Sequence, residues 1–231
     1  MNKSKLKYFY FSIDFMEFIK LAFSGDSNLG LYGFATETKC LLGFEPQNKN
    51  KIEKVLGVKV YHSTIAETRF AGILAVGNDN GLLVPGITEP HEIEKLKKIF
   101  SNVQVIDTKQ TALGNLILCN DKGCLIAENL EKYKDMISKC LGVPVEVGTI
   151  AGLDIIGSAG KATNTGCLVH RDATDEEIKK IEEVLGVKVD VGTVNFGTPF
   201  IKAGVIVNSK GLVISEKSTG PEIDRCFEVF K

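Results

Sequence analysis

Six thiols and three imidazoles are the side chains in this 231-residue chain best suited to covalent chemistry, and their spacing argues against most of it. A structural zinc or a dithiol couple wants cysteines two residues apart. The nearest pair, Cys119 and Cys124, is five apart. A catalytic thiol wants a base beside it in a partly open, electropositive setting. Cys226, between Arg225 and Phe227, suits that description best, yet His62, His91 and His170 fall in a strand-like segment, at the start of a helix and at the end of a hairpin, with no spacing that groups them. Gly160-Lys161 imitates a phosphate loop but fails on spacing: Ile155 stands where a glycine is required and Ala162 where the magnesium-binding hydroxyl should be. Glu92, Glu94, Glu176, Glu177, Glu182 and Glu183 mostly lie on helical segments near lysines, as Glu94 does with Lys97 and Lys98, and are expected on a solvated outer surface. These spacings suggest no metal, no cofactor-binding loop and no thiol–imidazole pair.

The elements that position these residues must come from a balanced, globular composition. There are 28 basic and 29 acidic side chains, a net charge of -1, 44% hydrophobic residues and 23 glycines. Such neutrality excludes a general nucleic-acid coat or a membrane-surface protein. No run approaches the roughly 18 apolar residues a spanning helix needs. Lys3, Lys5 and Lys7 before Tyr8 to Phe15 imitate a secretory signal, but Asp14 and Glu17 interrupt the apolar stretch and no small-x-small site follows. The expected location is the cytoplasm.

The sequence repeats itself five times. The position entering a recurrent apolar hairpin strand is Lys39, Gly81, Gly123, Gly166 and Gly211, at spacings of 42, 42, 43 and 45. A second set, Gly30, Gly72, Gly114, Gly157 and Gly204, precedes these by 9, 9, 9, 9 and 7. The hairpin strands are expected at Leu41 to Phe44, Gly81 to Val84, Gly123 to Ile126, Gly166 to Val169 and Gly211 to Ile214. Helices are expected over Lys49 to Leu56, Pro90 to Phe100, Leu130 to Leu141, Asp175 to Leu185 and Pro221 to Phe230. Thr174 with Glu177, and Thr219 with Glu222, spell capping boxes, while Gly57, Gly142 and Gly186 sit where left-handed caps are wanted. Valine-rich strands follow at Val58 to Tyr61, Val103 to Ile106, Val143 to Val147 and Val187 to Val191.

One such unit cannot bury both a sheet face and a helix stripe, whereas five around an axis can. The expectation is a single α/β domain over 16–231, with units of about 16–57, 58–101, 102–142, 143–186 and 187–231. Residues 1–15 match no unit, and they read either as an extension upstream of a start at Met16 or as an extra strand. The repeat also disposes of the thiols. Cys40, Cys124 and Cys167 occupy one position, filled elsewhere by Leu82 and Leu212, and Cys140 matches Val55 and Val184, so they serve as small apolar side chains. Equivalent loops, Gly25 to Leu29, Ala66 to Ala71, Thr108 to Leu113, Ala151 to Ile156 and Asn195 to Ala203, should gather on one end of the ring, either as mere closing turns or as a surface suited to close approach by a partner.

Five strand-and-helix units of this length resemble the pentein fold, an α/β propeller. Within it, Thr111-Ala112-Leu113-Gly114-Asn115, Gly77-Asn78 with Gly81 to Pro85, Leu168-Val169-His170, Gly192-Thr193-Val194-Asn195 and Ala203-Gly204 with Val207-Asn208 closely resemble the translation initiation factor 6 family in its archaeal form, over about Phe18 to Phe230. The resemblance implies a monomeric, non-catalytic protein that binds the large ribosomal subunit on its intersubunit face, mainly through a ribosomal protein near the sarcin-ricin loop with a minor rRNA contact. The small subunit is thereby kept from joining. It carries binding weight to Leu113, Gly114 and Asn115, to Asn28 and Gly30, and to Asn195. It further implies that a chain ending at Lys231 lacks the regulatory tail of eukaryotic members, and that Asp79 and Asn80 occupy a turn that can be basic elsewhere. The alternative is a pentein enzyme acting on guanidine groups, which needs a cysteine nucleophile, a histidine and carboxylates converging in the central channel.

Overall fold

The computed structural model describes residues 16–231, so the expectation for residues 1–15 lies outside the described residues. Alternating apolar segments form five three-stranded sheets among them, each with an inner, a middle and an outer strand. The inner strands are Gly33–Ala35, Val76–Gly77, Ile117–Cys119, Gly160–Ala162 and Val205–Val207. Each pairs antiparallel with the middle strand of its own hairpin: Lys39–Leu42, Leu82–Pro85, Cys124–Ile126, Gly166–His170 or Gly211–Ser215. The outer strand of each sheet comes from the following unit and runs parallel: Lys59–His62, Val103–Ile106, Val145–Val147 and Lys188–Gly192.

The fifth sheet shows how the ring closes. Its outer strand is the first of the described chain, Glu17–Leu21, paired with Gly211–Ser215 from Glu17↔Gly211 to Leu21↔Ser215. No unit is therefore left as an unpaired end, and the five sheets form a closed α/β ring of the pentein kind. Five short helical turns, Leu29–Leu31, Ala71–Leu74, Leu113–Leu116, Ile156–Ala159 and Ile201–Gly204, each pack against the next, and the last packs against the first.

The helices cover the outer faces. They form close to where the sequence pattern asks for them: Lys49–Leu56, Pro90–Leu96, which stops short of the expected Phe100, Lys134–Leu141, Asp175–Leu185 and Gly220–Phe230. The third is preceded by a 3-10 segment at Glu128–Tyr133. Asp175–Leu185 shows the logic: Thr174 accepts from the Glu177 N–H, Glu177 accepts in return from Thr174, Ile181 and Leu185 are buried, and Gly186 ends the helix at φ 60°. The ends of four of the five helices are then gripped by a neighbouring unit. The Asn78, Asn120 and Asn208 side chains each donate to a helix C-terminal carbonyl (Leu141, Leu185, Leu56) and to the equivalent turn of the next unit (Asn120, Thr163, Thr36), at 2.9 to 3.1 Å. In the fourth unit, Thr165 donates instead to the Phe230 carbonyl.

Two expectations need correcting. The first middle strand is Lys39–Leu42 rather than Leu41–Phe44. Lys39 stands where the other units have a glycine, and Phe44 lies beyond the strand, edge-on to Phe23 and Tyr32. The second glycine set is also misassigned in unit five. Cβ atoms added at Gly30, Gly72, Gly114 and Gly157 would meet the carbonyl oxygens of Lys202, Gly30, Gly72 and Gly114 at 1.8, 2.0, 2.1 and 2.3 Å, so Lys202, not Gly204, is the fifth member of this ring. It lies nine residues before Gly211, as the period requires.

Candidate partner-binding face

The loops that follow the outer strands gather at the end of the ring where the middle strands finish and the helices begin. Four are tight turns with left-handed residues: Ser24–Gly25, Ala66–Glu67, Ala151–Gly152 and Asn195–Phe196–Gly197. Each is closed by a bridge, Phe23↔Asp26, Ile65↔Thr68, Ile150↔Leu153 or Val194↔Thr198. The third unit's loop, 107–112, has no such turn.

Three of these turns are held by glutamates: Glu92 and Glu177, expected on the outer surface, and Glu222, expected in a capping box. Glu92 accepts from the Ala66 and Glu67 N–H groups, Glu177 from Ala151 and Gly152, and Glu222 from Phe196 and Gly197. Each also closes the capping box of its own helix. Glu92 is 1% exposed, which corrects the sequence reading for that residue most plainly. Burial alone would raise the pKa of these carboxyls, but hydrogen bonds from threonine side chains and backbone amides outweigh it and hold all three below the usual range. The first loop is fixed differently. Asp26 accepts from the Asn28 backbone and side chain and from the Tyr32 hydroxyl, and its pKa is lowered chiefly by that backbone bond.

The six residues given binding weight divide by burial. Leu113, Gly114 and Gly30 are inside, in the ring of short turns, while Asn28, Asn115 and Asn195 are half-buried at its surface. The structure brings Asn195 to Asn28 (3.3 Å), joining the fifth loop to the first. Asn115 stands apart in the third unit. Gly114 is tied to the fifth unit through the interior, because the buried Lys202 ammonium donates to its carbonyl. Burial, with Lys161 nearby, pushes Lys202 down to about 7. Sequence reasoning missed Lys202. The signal was present, since period 9 before Gly211 lands on it. It also missed Phe196, which is 81% exposed at the tip of the fifth loop.

The centre of the ring, where guanidine chemistry would sit, is nearly filled. The axial cavity is about 20 Å³, room for one water, between Lys161, Cys119, Asn78, Asn120 and Thr163. Its hairpin end is ringed by hydrogen bonds from Thr38 to Asp79, Asp79 to Asp121, Asp121 to Asn164 and Ser209 to Glu37. All six thiols are buried. Cys226 is packed in the core beneath the last helix, and its burial pushes it up to about 12. No hydrogen bond joins a histidine to a cysteine among the described residues. No cluster of three His, Cys, Asp or Glu suited to a metal occurs among them, and no helix is long and apolar enough to cross a membrane.

The model of the eIF-6 family matches residues 18–229. Translation initiation factor 6 of Staphylothermus marinus is 39% identical over 217 residues, covering 91% of this chain and 96% of its own. Translation initiation factor 6 of Pyrococcus abyssi is 41% identical over 217 residues, covering 90% and 96%. Among solved structures, the cyanobacterial arginine dihydrolase ArgZ aligns at a TM-score of 0.46 and 15% identity, over 71% of this chain and 29% of that one.

Proposed function

Since the chain belongs to the eIF-6 family, whose relatives here are named translation initiation factors, we propose that it binds the large ribosomal subunit and sterically prevents the small subunit from joining. It acts as a single copy in the cytoplasm, without catalysis. The observation that carries this is the loop end of the ring: five equivalent loops on one face, three of them clamped by buried or half-buried carboxylates, over a central cavity of about 20 Å³. A closed body of this kind needs only an interface of ordinary area, roughly 800 Å² per partner, to occupy volume the second subunit requires. Slow dissociation then does what chemistry would otherwise have to do. Within the face, the half-buried Asn28, Asn115 and Asn195 supply amides that both donate and accept across an interface, and Gly30, Leu113 and Gly114 set their positions from below.

The contact runs mainly to a ribosomal protein near the sarcin-ricin loop, with a minor rRNA contribution. The test is a subunit-joining assay on sucrose gradients. Adding the protein to purified large and small subunits should deplete the joined particle and leave free subunits, in proportion to protein added. Unchanged joining at saturating protein would overturn the proposal.

A further inference from the structure

Phe196 is the most exposed large apolar side chain among the described residues, and nothing in the chain's own packing accounts for it. Its backbone sits at φ 62°, a region that bulky residues occupy only under strain. The second place of the corresponding turns in units one and four is taken by Gly25 and Gly152, which adopt it freely. The fifth turn is also one residue longer, bridging Val194 to Thr198 where the second bridges Ile65 to Thr68.

Strain of this kind persists only where the surroundings over-determine it, and here they do. Phe196 and Gly197 donate their N–H groups to Glu222 at 3.2 and 2.8 Å, Asn195 donates its own to the Ser218 hydroxyl at 3.0 Å, and the Val194–Thr198 bridge closes at 2.7 and 2.8 Å. The result is an aromatic side chain presented to solvent on a fixed platform. Ordering entropy that a flexible loop would lose on binding has already been spent in folding. Beside it the face is unfinished: the Asn195 Oδ1 atom is buried without a hydrogen-bond partner, and Ile155 is exposed in the neighbouring fourth loop. The exposed charged residues of the five loops are Glu67, Arg69, Asp107, Lys109 and Asp154, with the half-buried Asp26 adding a further acid. Charges so nearly balanced offer a phosphate backbone little attraction, and an exposed phenyl ring with Ile155 exposed in the next loop suits an apolar protein surface.

We propose that Phe196 is the anchor of the docking face, inserted into an apolar socket on a protein component of the large subunit. This rests on the reading given under Proposed function. Central aromatic anchors of this sort are worth about thirty-fold or more in affinity.

The test uses the full chain and purified large subunits in a sedimentation titration. Phe196→Gly should bind at least about thirty-fold more weakly, yet melt about 2 °C higher, because glycine relieves the positive φ. Phe196→Tyr should retain binding, and Phe18→Ser, which removes an exposed aromatic on the outer rim, should bind as the wild type does. A photoreactive benzoylphenylalanine at position 196 should cross-link to a ribosomal protein. Wild-type affinity in Phe196→Gly, or cross-linking to rRNA instead, overturns the anchor while leaving ribosome binding intact. Failure of the wild-type chain to sediment with large subunits overturns both this inference and the function on which it rests.

Discussion

Replacing Gly72 by alanine places a methyl group 2.0 Å from the Gly30 carbonyl oxygen and 2.9 Å from both the nitrogen and the oxygen of Gly33. A carbon and an oxygen in ordinary contact lie well beyond 3 Å, so more than 1 Å of overlap must be relieved. All three obstructing atoms are backbone, and Gly30 is itself held against Lys202 on its other side, so the strain is passed around the ring instead of being absorbed by one rotamer. Overpacking of a well-filled core costs about 1–3 kcal/mol and sometimes more, and the backbone character of the clash puts this case at about 3 kcal/mol or above. For a domain of this size that corresponds to roughly 6–12 °C in melting temperature. Gly25→Ala is the matched control: its added methyl meets nothing within 4 Å, so it suffers only the left-handed conformation at φ 82°, about 1 kcal/mol. Thermal unfolding followed by circular dichroism on both variants decides the matter. If Gly72→Ala melts within about 2 °C of Gly25→Ala, the short turns do not pack as a closed ring.

Lys202 makes stability depend on pH. Its folded pKa of about 7 lies below the ordinary 10.5, so the unfolded chain holds that proton between those values and Lys202's contribution to stability rises with pH across the window. From pH 7 to 9 Lys202's own contribution grows by about 2 kcal/mol, opposed by the six buried thiols, whose unfolded forms begin to ionise in the same range. Urea unfolding of the wild type and Lys202→Met should show the stability difference between them shift by about that amount in the wild type's favour from pH 7 to 9; a constant difference would refute the lowered value. Above pH 9 the sign reverses, because Cys40, Cys119 and Cys226 are pushed up to about 12 and the folded state then holds the extra protons. A steady climb to pH 11 would contradict their burial. Glu222→Gln leaves the Phe196 and Gly197 amides facing a group with one acceptor atom, and should destabilise by about 2–3 kcal/mol and speed hydrogen exchange at those two residues. Because Glu222 is held below its usual range, the stability it contributes is present above the unfolded value near 4.5 and is lost as pH falls through the lower folded value. Urea midpoints of the variant and wild type should therefore converge in acid.

Local chemistry written in short stretches was legible. The Asp175–Leu185 helix, its capping box, the glycine caps and the assignment of the cysteines to the core all follow from spacing, because each depends on residues within a turn or on a position seen several times. What escaped depends on contacts the chain makes only after closing. Glu92 and Glu177 read as solvated, and Glu222 as no more than a helix cap, because helix faces show nothing of a turn 25 residues upstream. Gly204 was matched to the glycine ring because it was the glycine nearest the expected place, whereas the ring wanted the Lys202 backbone there. Leu113 and Gly114 belong to a recognisable motif, but a motif does not say which of its residues face inward. Phe196 carries no periodic mark at all, since its exposure comes from an unusually long turn.

Titrating the chain separately against isolated large and small ribosomal subunits, and sedimenting each mixture through a cushion, reaches the central claim most directly. One copy should pellet with each large subunit and none with the small. Recovery in the supernatant with both, or equal pelleting with either, would contradict it.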